Sequence, residues 1–321
     1  MPPYVASGTY GCVFKPFVKC SEIVSTKKPK YMQTVGKVFS NEKEALEEFE
    51  IQKRILEKID PKSEFTAKLI EKCVVNDFVR SDELYKCPYE FTQHPIQLIY
   101  EYGGLSYDHL LKNNKPSMQL FKKLLKGLEA VFWGVVKIHE ARYVHQDIKP
   151  HNILYSNRHK HAILIDFGIS KPVHHIYHAK NDYILKHAYP YFPPEYKLKF
   201  VRRTGDFKEY KRLVLQNFGT NALKEVKDVM MAAGVDFQGD LEMTYKHRYR
   251  DSSKIDSYSL GVVLAMLLKW MQLPKDSQML KTLYNLIQVL CHQDSKKRVG
   301  VTEAAHLYSN FLRTTRFHMT R

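Results

Sequence analysis

Hydrophobic and polar positions change their period near residue 100. The first forty residues are rich in Val, Tyr, Phe and Thr, carry glycines at Gly8, Gly11 and Gly36, and read as short strands joined by turns. Asn41-Glu42-Lys43-Glu44 then offers a cap followed by acidic first-turn residues. With Leu46, Phe49, Ile55 and Ile59 it predicts a helix over 41–59 that stops before Pro61. Ile96 to Tyr100 is a further strand, and Gly103-Gly104 after it mark a hinge. Beyond that point the long periodic segments are helical, over 118–140, 255–271 and 279–292. Two short β-rich pieces, 152–155 and 162–165, flank a turn at Asn157-Arg158. The pattern predicts an α+β protein of two lobes: a small β-rich one over 1–102 with a single helix, and a mainly helical one over 103–321.

Composition narrows the class. With 44% hydrophobic and 26% charged residues in 321, the chain should fold rather than remain a disordered tail. Its longest uncharged apolar run, Tyr258 to Leu268, is far short of the roughly 20 residues a membrane helix needs, so it is expected to be a buried helix. Met1-Pro2-Pro3-Tyr4 lacks the basic-then-apolar pattern of a secretory signal. The five cysteines are odd in number, scattered and without a CxxC pair. That spacing argues against both a disulfide framework and a structural zinc site, and for a reducing, intracellular compartment. The net charge of +16 would attract acidic proteins, nucleic acid or anionic surfaces without selecting among them. No zinc finger, aromatic RNA-binding signature or helix-turn-helix supports the nucleic-acid reading.

Candidate chemistry begins at Ala6-Ser7-Gly8-Thr9-Tyr10-Gly11-Cys12-Val13, where small residues in a hairpin allow backbone N–H groups to approach phosphate oxygens. Ordinary turn chemistry is the plain alternative. Lys37 sits in the middle of the apolar strand Thr34 to Phe39, where a buried ammonium needs an anionic partner and a solvated edge lysine does not. The sharper signal is His145-Gln146-Asp147-Ile148-Lys149-Pro150-His151-Asn152 followed by Ile163-Leu164-Ile165-Asp166-Phe167-Gly168. Two carboxylates, an ammonium and an amide on adjacent loops are what phosphoryl transfer requires: an acid to orient a hydroxyl, oxygen ligands for magnesium, and a cation on the moving phosphate.

In this order the motifs resemble the protein kinase superfamily, from about Val5 to Leu312. The resemblance implies a bilobal kinase fold that uses ATP and Mg2+. It puts Val5, Ala6, Gly8, Gly11 and Val13 in the loop over ATP, and Lys37 on the α and β phosphates. Asp147 becomes the catalytic base, Lys149 the cation on the γ phosphate, and Asn152 and Asp166 the magnesium ligands. Glu101-Tyr102-Gly103 is similar to the hinge that receives adenine, with Glu101 and Gly103 as its contacts and Tyr100 in the gatekeeper position. The helix partner of Lys37 is either Glu48 or Gln52, one turn apart, and Glu48 is preferred for its charge. Pro193-Pro194-Glu195, Asp256 to Gly261 and Arg298 resemble the end of the activation segment, the central helix and the arginine paired with that glutamate.

Departures from the family pattern bear on regulation and substrate. Ala6 replaces the first glycine of the loop. Gln146 stands where many kinases have an arginine that binds an activation-segment phosphate, which implies activity independent of that phosphate. Ala188 replaces a threonine that usually contacts the catalytic loop. Lys149, two residues after Asp147, points to serine/threonine specificity. An insertion at about 197–250, with Lys197, Lys199, Arg202, Arg203, Lys208, Lys211 and Arg212, reads either as a docking surface for an acidic partner or as a solvated elaboration. The long gap between Gly11 and Lys37 and the Ile59-Asp60-Pro61 sequence also resemble divergent kinases of large DNA viruses, which would place the protein in infected-cell cytoplasm or in a virion. The substrates implied are proteins bearing Ser or Thr; a monomer without a membrane partner is expected. A catalytically silent, nucleotide-binding pseudokinase is the competing reading.

Overall fold

The computed structural model describes residues 3–8, 10–20, 33–75, 86–92, 94–175, 191–193, 254–272, 277–292 and 295–315. The chain divides into two compact units. The first is Met1–Gly104 together with Ile163–Gly168, and the second is Leu105–Ala162 together with Ile169–Arg321.

The first unit is built on an antiparallel sheet of β1 (Tyr4–Ser7), β2 (Gly11–Phe14), β3 (Thr34–Phe39), β4 (Leu69–Val74) and β5 (Ile96–Glu101), in the order β1-β2-β3-β5-β4. Gly11 is required where β2 meets β3: a Cβ there would lie 2.0 Å from the Val38 carbonyl oxygen, which is backbone and cannot yield cheaply. Gly36 is required for a different reason. The buried Gln97 side chain lies against it, accepting from Val18 N at 2.9 Å and donating to Val18 O at 2.8 Å, and a Cβ at Gly36 would meet its Oε1 at 1.9 Å.

The helix predicted over 41–59 forms, with Asn41 accepting from Lys43 N at 2.8 Å as the N-cap. It is α-helical over Glu42–Ile51, widens to a π-turn over Gln52–Leu56, and closes with Glu57–Ile59. Asp60 then stops it: its carboxylate accepts from the backbone N–H groups of Glu64, Phe65 and Thr66 and from the Thr66 hydroxyl, so the turn after the helix is tied to one buried acid.

The expectation that the cysteines are unpaired is overturned. Cys12 is joined to Cys87 and Cys20 to Cys73, across sequence separations of 75 and 53 residues, and Cys291 is a buried thiol outside both bridges. Parity and spacing rule out only pairings that are close in sequence. Here the sheet brings distant positions to Cα separations of 6.1 and 5.9 Å. The reducing-compartment argument drawn from cysteine spacing falls with it.

In the second unit, the helix Met118–Glu140 starts at Ser117, whose hydroxyl accepts from Leu120 N, and packs on the helix Val301–Thr314. Phe132 stacks on Tyr308 at 4.1 Å, and the Tyr308 hydroxyl donates to the Leu125 carbonyl. The helix Ile255–Met271 is buried from Ile255 through Ala265, as its apolar sequence demands. It lies so close to the end of the helix Gln278–Leu290 that a Cβ on Gly261 would sit 2.4 Å from the Cys291 sulfur. These three helices match the predicted 118–140, 255–271 and 279–292 to within two residues. Short strands complete the unit: β6 (Leu105–Ser106) pairs with β8 (Ile153–Ser156), and β7 (Tyr143–Val144) with β10 (Lys171–Pro172); of β9 (His161–Leu164), His161 and Ala162 belong to this unit and Ile163 and Leu164 to the first. No described helix is long and apolar enough to cross a membrane.

Candidate active site

The first unit assembles a buried ion cluster. Lys37, central in β3 and 8% exposed, donates from Nζ to Glu48 Oε2 at 2.6 Å and to Asp166 Oδ1 at 2.9 Å. Burial alone would lower the Lys37 pKa, but the flanking Asp166 and Glu48 carboxylates outweigh it and hold the ammonium well above its usual range. Lys37 is therefore charged at any working pH. Of the two helix candidates it is Glu48 that touches Lys37. Gln52 is buried one turn along, at the start of the π-turn. Glu48 gives its other oxygen to the hydroxyl of Tyr100, which donates at 3.0 Å, so this tyrosine braces the ion pair.

Asp166 adopts φ 64, a left-handed backbone uncommon outside glycine. Backbone strain of that kind persists where the surroundings over-determine it, and the salt bridge to Lys37 at 2.9 Å is one such constraint on Asp166. The glycine-rich turn belongs to the same unit. Gly8 N donates to Gly11 O at 2.9 Å, Ala6 pairs with Val13 in register, and a Cβ built on Gly8 would come to 3.8 Å from Asp166 Oδ2. Val5 is half exposed and Val13 half buried on the two strands of this hairpin. Glu101 closes β5, with its N–H donated to Lys68 O. Gly103 is buried in the stretch that follows, and Lys15 Nζ lies 3.1 Å over the Tyr102 ring.

The second unit assembles the other set. Asp147 Oδ2 accepts from Lys149 Nζ at 3.0 Å and from Asn152 Nδ2 at 2.8 Å, and Asn152 Nδ2 also reaches the Asp147 carbonyl at 2.9 Å. With its nitrogen committed twice, the Asn152 amide is oriented with its oxygen as the remaining donor atom, the kind magnesium takes. The loop backbone is anchored below by Asp256. Its Oδ2 accepts from His145 N at 2.8 Å and its Oδ1 from Gln146 N at 2.9 Å, while His139 Nε2 lies 2.8 Å from Oδ2. Burial would raise the Asp256 pKa, yet the hydrogen bonds and charge from His139 and His145 prevail and hold the carboxyl below its ordinary range. Gln146, at φ 69, donates from Nε2 to the Ile169 carbonyl at 2.7 Å.

Lys37, Glu48 and Asp166 are thus brought together in one unit, and Asp147, Lys149 and Asn152 in the other. Arg298 is buried and donates from Nε to His292 O. Glu195, Ala188 and the 197–250 insertion lie outside the described residues. Sequence reasoning missed His139 and the role of the Tyr100 hydroxyl. The only signal for the first is a histidine on the last turn of an otherwise apolar helix face, and for the second a tyrosine in a strand of Ile and Leu.

The family model for the protein kinase domain matches residues 4–197, and the chain belongs to the protein kinase family. Its fold is that of the family, α+β, with a β-rich N-terminal part and a helical C-terminal part. The chain is 31% identical over 123 residues to the MAP kinase kinase MKK1/SSP32 of Saccharomyces cerevisiae, an alignment that covers 36% of this chain and 24% of that protein. It is 34% identical over 97 residues to the serine/threonine-protein kinase cds1 of Schizosaccharomyces pombe, covering 30% of this chain and 18% of that one. The aligned stretch spans a quarter or less of either relative.

Proposed function

We propose that the chain is an ATP-dependent serine/threonine protein kinase that transfers the γ-phosphate to hydroxyl groups of protein substrates. The observation that carries this reading is the Asp147 carboxylate, held by Lys149 at 3.0 Å and Asn152 at 2.8 Å in a buried loop. A carboxylate fixed in this way accepts the proton of an incoming serine or threonine hydroxyl as that oxygen attacks, a role worth roughly 10²- to 10⁴-fold in rate. Lys149 beside it supplies positive charge to the phosphoryl group in transit. In the first unit the Lys37 ammonium, kept charged by Glu48 and Asp166, suits the α and β phosphates of a nucleotide.

Asp166 and Asn152 would supply oxygen ligands to magnesium, which when bound neutralises charge on the phosphates. No cluster of three or more His, Cys, Asp or Glu stands ready for a metal among the described residues. Magnesium in nucleotide sites takes one or two protein oxygens and completes its shell with phosphate and water. The name of one of the two relatives, a serine/threonine-protein kinase, favours serine/threonine over tyrosine specificity, as does Lys149. The basic 197–250 insertion favours an acidic docking partner on charge alone.

The test is incubation with γ-labelled ATP and magnesium, comparing wild type with Asp147→Asn, followed by identification of the labelled residue. Labelled phosphoserine or phosphothreonine from wild type, with at least a hundredfold loss in the variant, is expected. Phosphotyrosine would overturn the specificity, and nucleotide binding without transfer would identify a pseudokinase.

A further inference from the structure

The segment 86–92 between β4 and β5 plays no part in the chemistry above, yet it reaches the glycine-rich turn. Its burial alternates: Cys87, Tyr89 and Phe91 face inward while Lys86, Pro88, Glu90 and Thr92 are exposed. The three inward residues cover one apolar cluster of Cys12, Phe14, Val18, Val38 and Val75, and the Cys87 sulfur is bonded to Cys12 in β2. Two residues further on, the Tyr89 hydroxyl donates to the Gly8 carbonyl oxygen at 2.7 Å.

We propose that Tyr89 is a positioning residue for the glycine-rich turn, holding the Gly8 carbonyl from a strap that the Cys12–Cys87 disulfide fastens to the sheet. The argument rests on the reading of that turn as the phosphate-binding element. Gly8 lacks a Cβ and samples more backbone conformations than any other residue type, so ordering it costs the most entropy. The peptide plane that carries its carbonyl is rigid, so holding the oxygen restricts the rotation of that plane. At the other end of the turn, Gly11 packs on β3 and the Tyr10 carbonyl accepts from Ser40 N at 3.0 Å. Tyr89 provides the matching hold at Gly8. The tyrosine is effective because it is already immobilised: a covalent bond two residues away and an apolar seat have removed its freedom before the hydroxyl engages.

Tyr89→Phe keeps the ring in the apolar cluster and removes only the hydroxyl. In nucleotide-free protein it should speed amide hydrogen exchange in the 4–14 hairpin, leave the helix Met118–Glu140 unaffected, and raise KM for ATP roughly two- to tenfold with kcat within about twofold. The paired variant Cys12→Ser/Cys87→Ser should loosen the same hairpin at least as much, and adding Tyr89→Phe to it should then change nothing further. Unchanged exchange and KM in Tyr89→Phe would overturn the proposal. So would a lowered melting temperature with KM unchanged, which would mark a purely structural contact. A full Tyr89→Phe effect in the serine background would show that the disulfide is not the fastener. If wild type bound no nucleotide, the kinase reading would fail by itself, and the exchange measurement would still decide whether Tyr89 holds the turn.

Discussion

The buried ion cluster concentrates the sharpest energetic stakes at single atoms. Glu48 serves two donors, the Lys37 ammonium and the Tyr100 hydroxyl. Removing one partner of a buried pair typically costs about 3–5 kcal/mol, because the charge left behind is poorly solvated. Glu48→Gln keeps the shape and one acceptor but leaves Lys37 with Asp166 alone, so KM for ATP should rise at least tenfold, measured by steady-state kinetics. Tyr100→Phe removes only the brace, and a rise of no more than about tenfold is expected. If it equalled the Glu48→Gln loss, the ion pair would owe its order to the tyrosine. Asp256 makes a second, independent prediction. Its folded pKa lies below the unfolded value, so its contribution to stability is present above the unfolded pKa and is lost as pH falls through the folded one. Asp256→Asn would turn an amide N–H towards donors at His145 or Gln146, and should cost about 1–3 kcal/mol at neutral pH. In acid its deficit against wild type should narrow, as followed by urea melts from pH 7 down to about pH 3.

Among the elements, glycines with the same spelling in the sequence do different work. A Cβ at Gly11 would strike a backbone carbonyl at 2.0 Å, whereas one at Gly8 would sit 3.8 Å from a carboxylate oxygen, an ordinary contact. Gly11→Ala should therefore lower stability by about 1–3 kcal/mol, as overpacking does. Gly8→Ala should melt within about 1 kcal/mol of wild type and show its effect in the KM for ATP. Equal melting temperatures for the two variants would contradict this account of the hairpin. The same contrast explains what was legible beforehand. Helix ends could be read because Asn41, Ser117 and the apolar periodicity act within a few residues, and the contiguous run His145 to Asn152 carries its chemistry in its own spelling. The disulfides, the Tyr100 brace on Glu48 and the Tyr89 strap join positions 52 to 81 residues apart, and that kind of information resides in tertiary packing rather than in local pattern. The choice between Glu48 and Gln52 was likewise left open by spacing, since a single helical turn separates them and the π-turn that begins at Gln52 leaves no clear mark in the sequence.

At the scale of the whole molecule the question is what switches activity on. An arginine before the catalytic aspartate would need an anion opposite it, and a phosphorylated segment would supply one. This chain places Gln146 there, and its neutral amide is satisfied by the Ile169 carbonyl at 2.7 Å, immediately after Asp166-Phe167-Gly168. Ser170 adds a hydroxyl bond to the His145 carbonyl at 3.1 Å, and β10 pairs with β7 just beyond. The start of that segment is thus anchored by hydrogen bonds that require no phosphate. Phosphatase treatment of the purified enzyme, confirmed by mass spectrometry, should leave turnover within about twofold. Gln146→Ala, which deletes the anchor, should lower it by roughly two- to tenfold, the loss of one neutral hydrogen bond. Abolition of turnover by phosphatase would mean that a phosphate contributes what Gln146 is here held to supply, and the account of an intrinsically ordered segment would have to be given up.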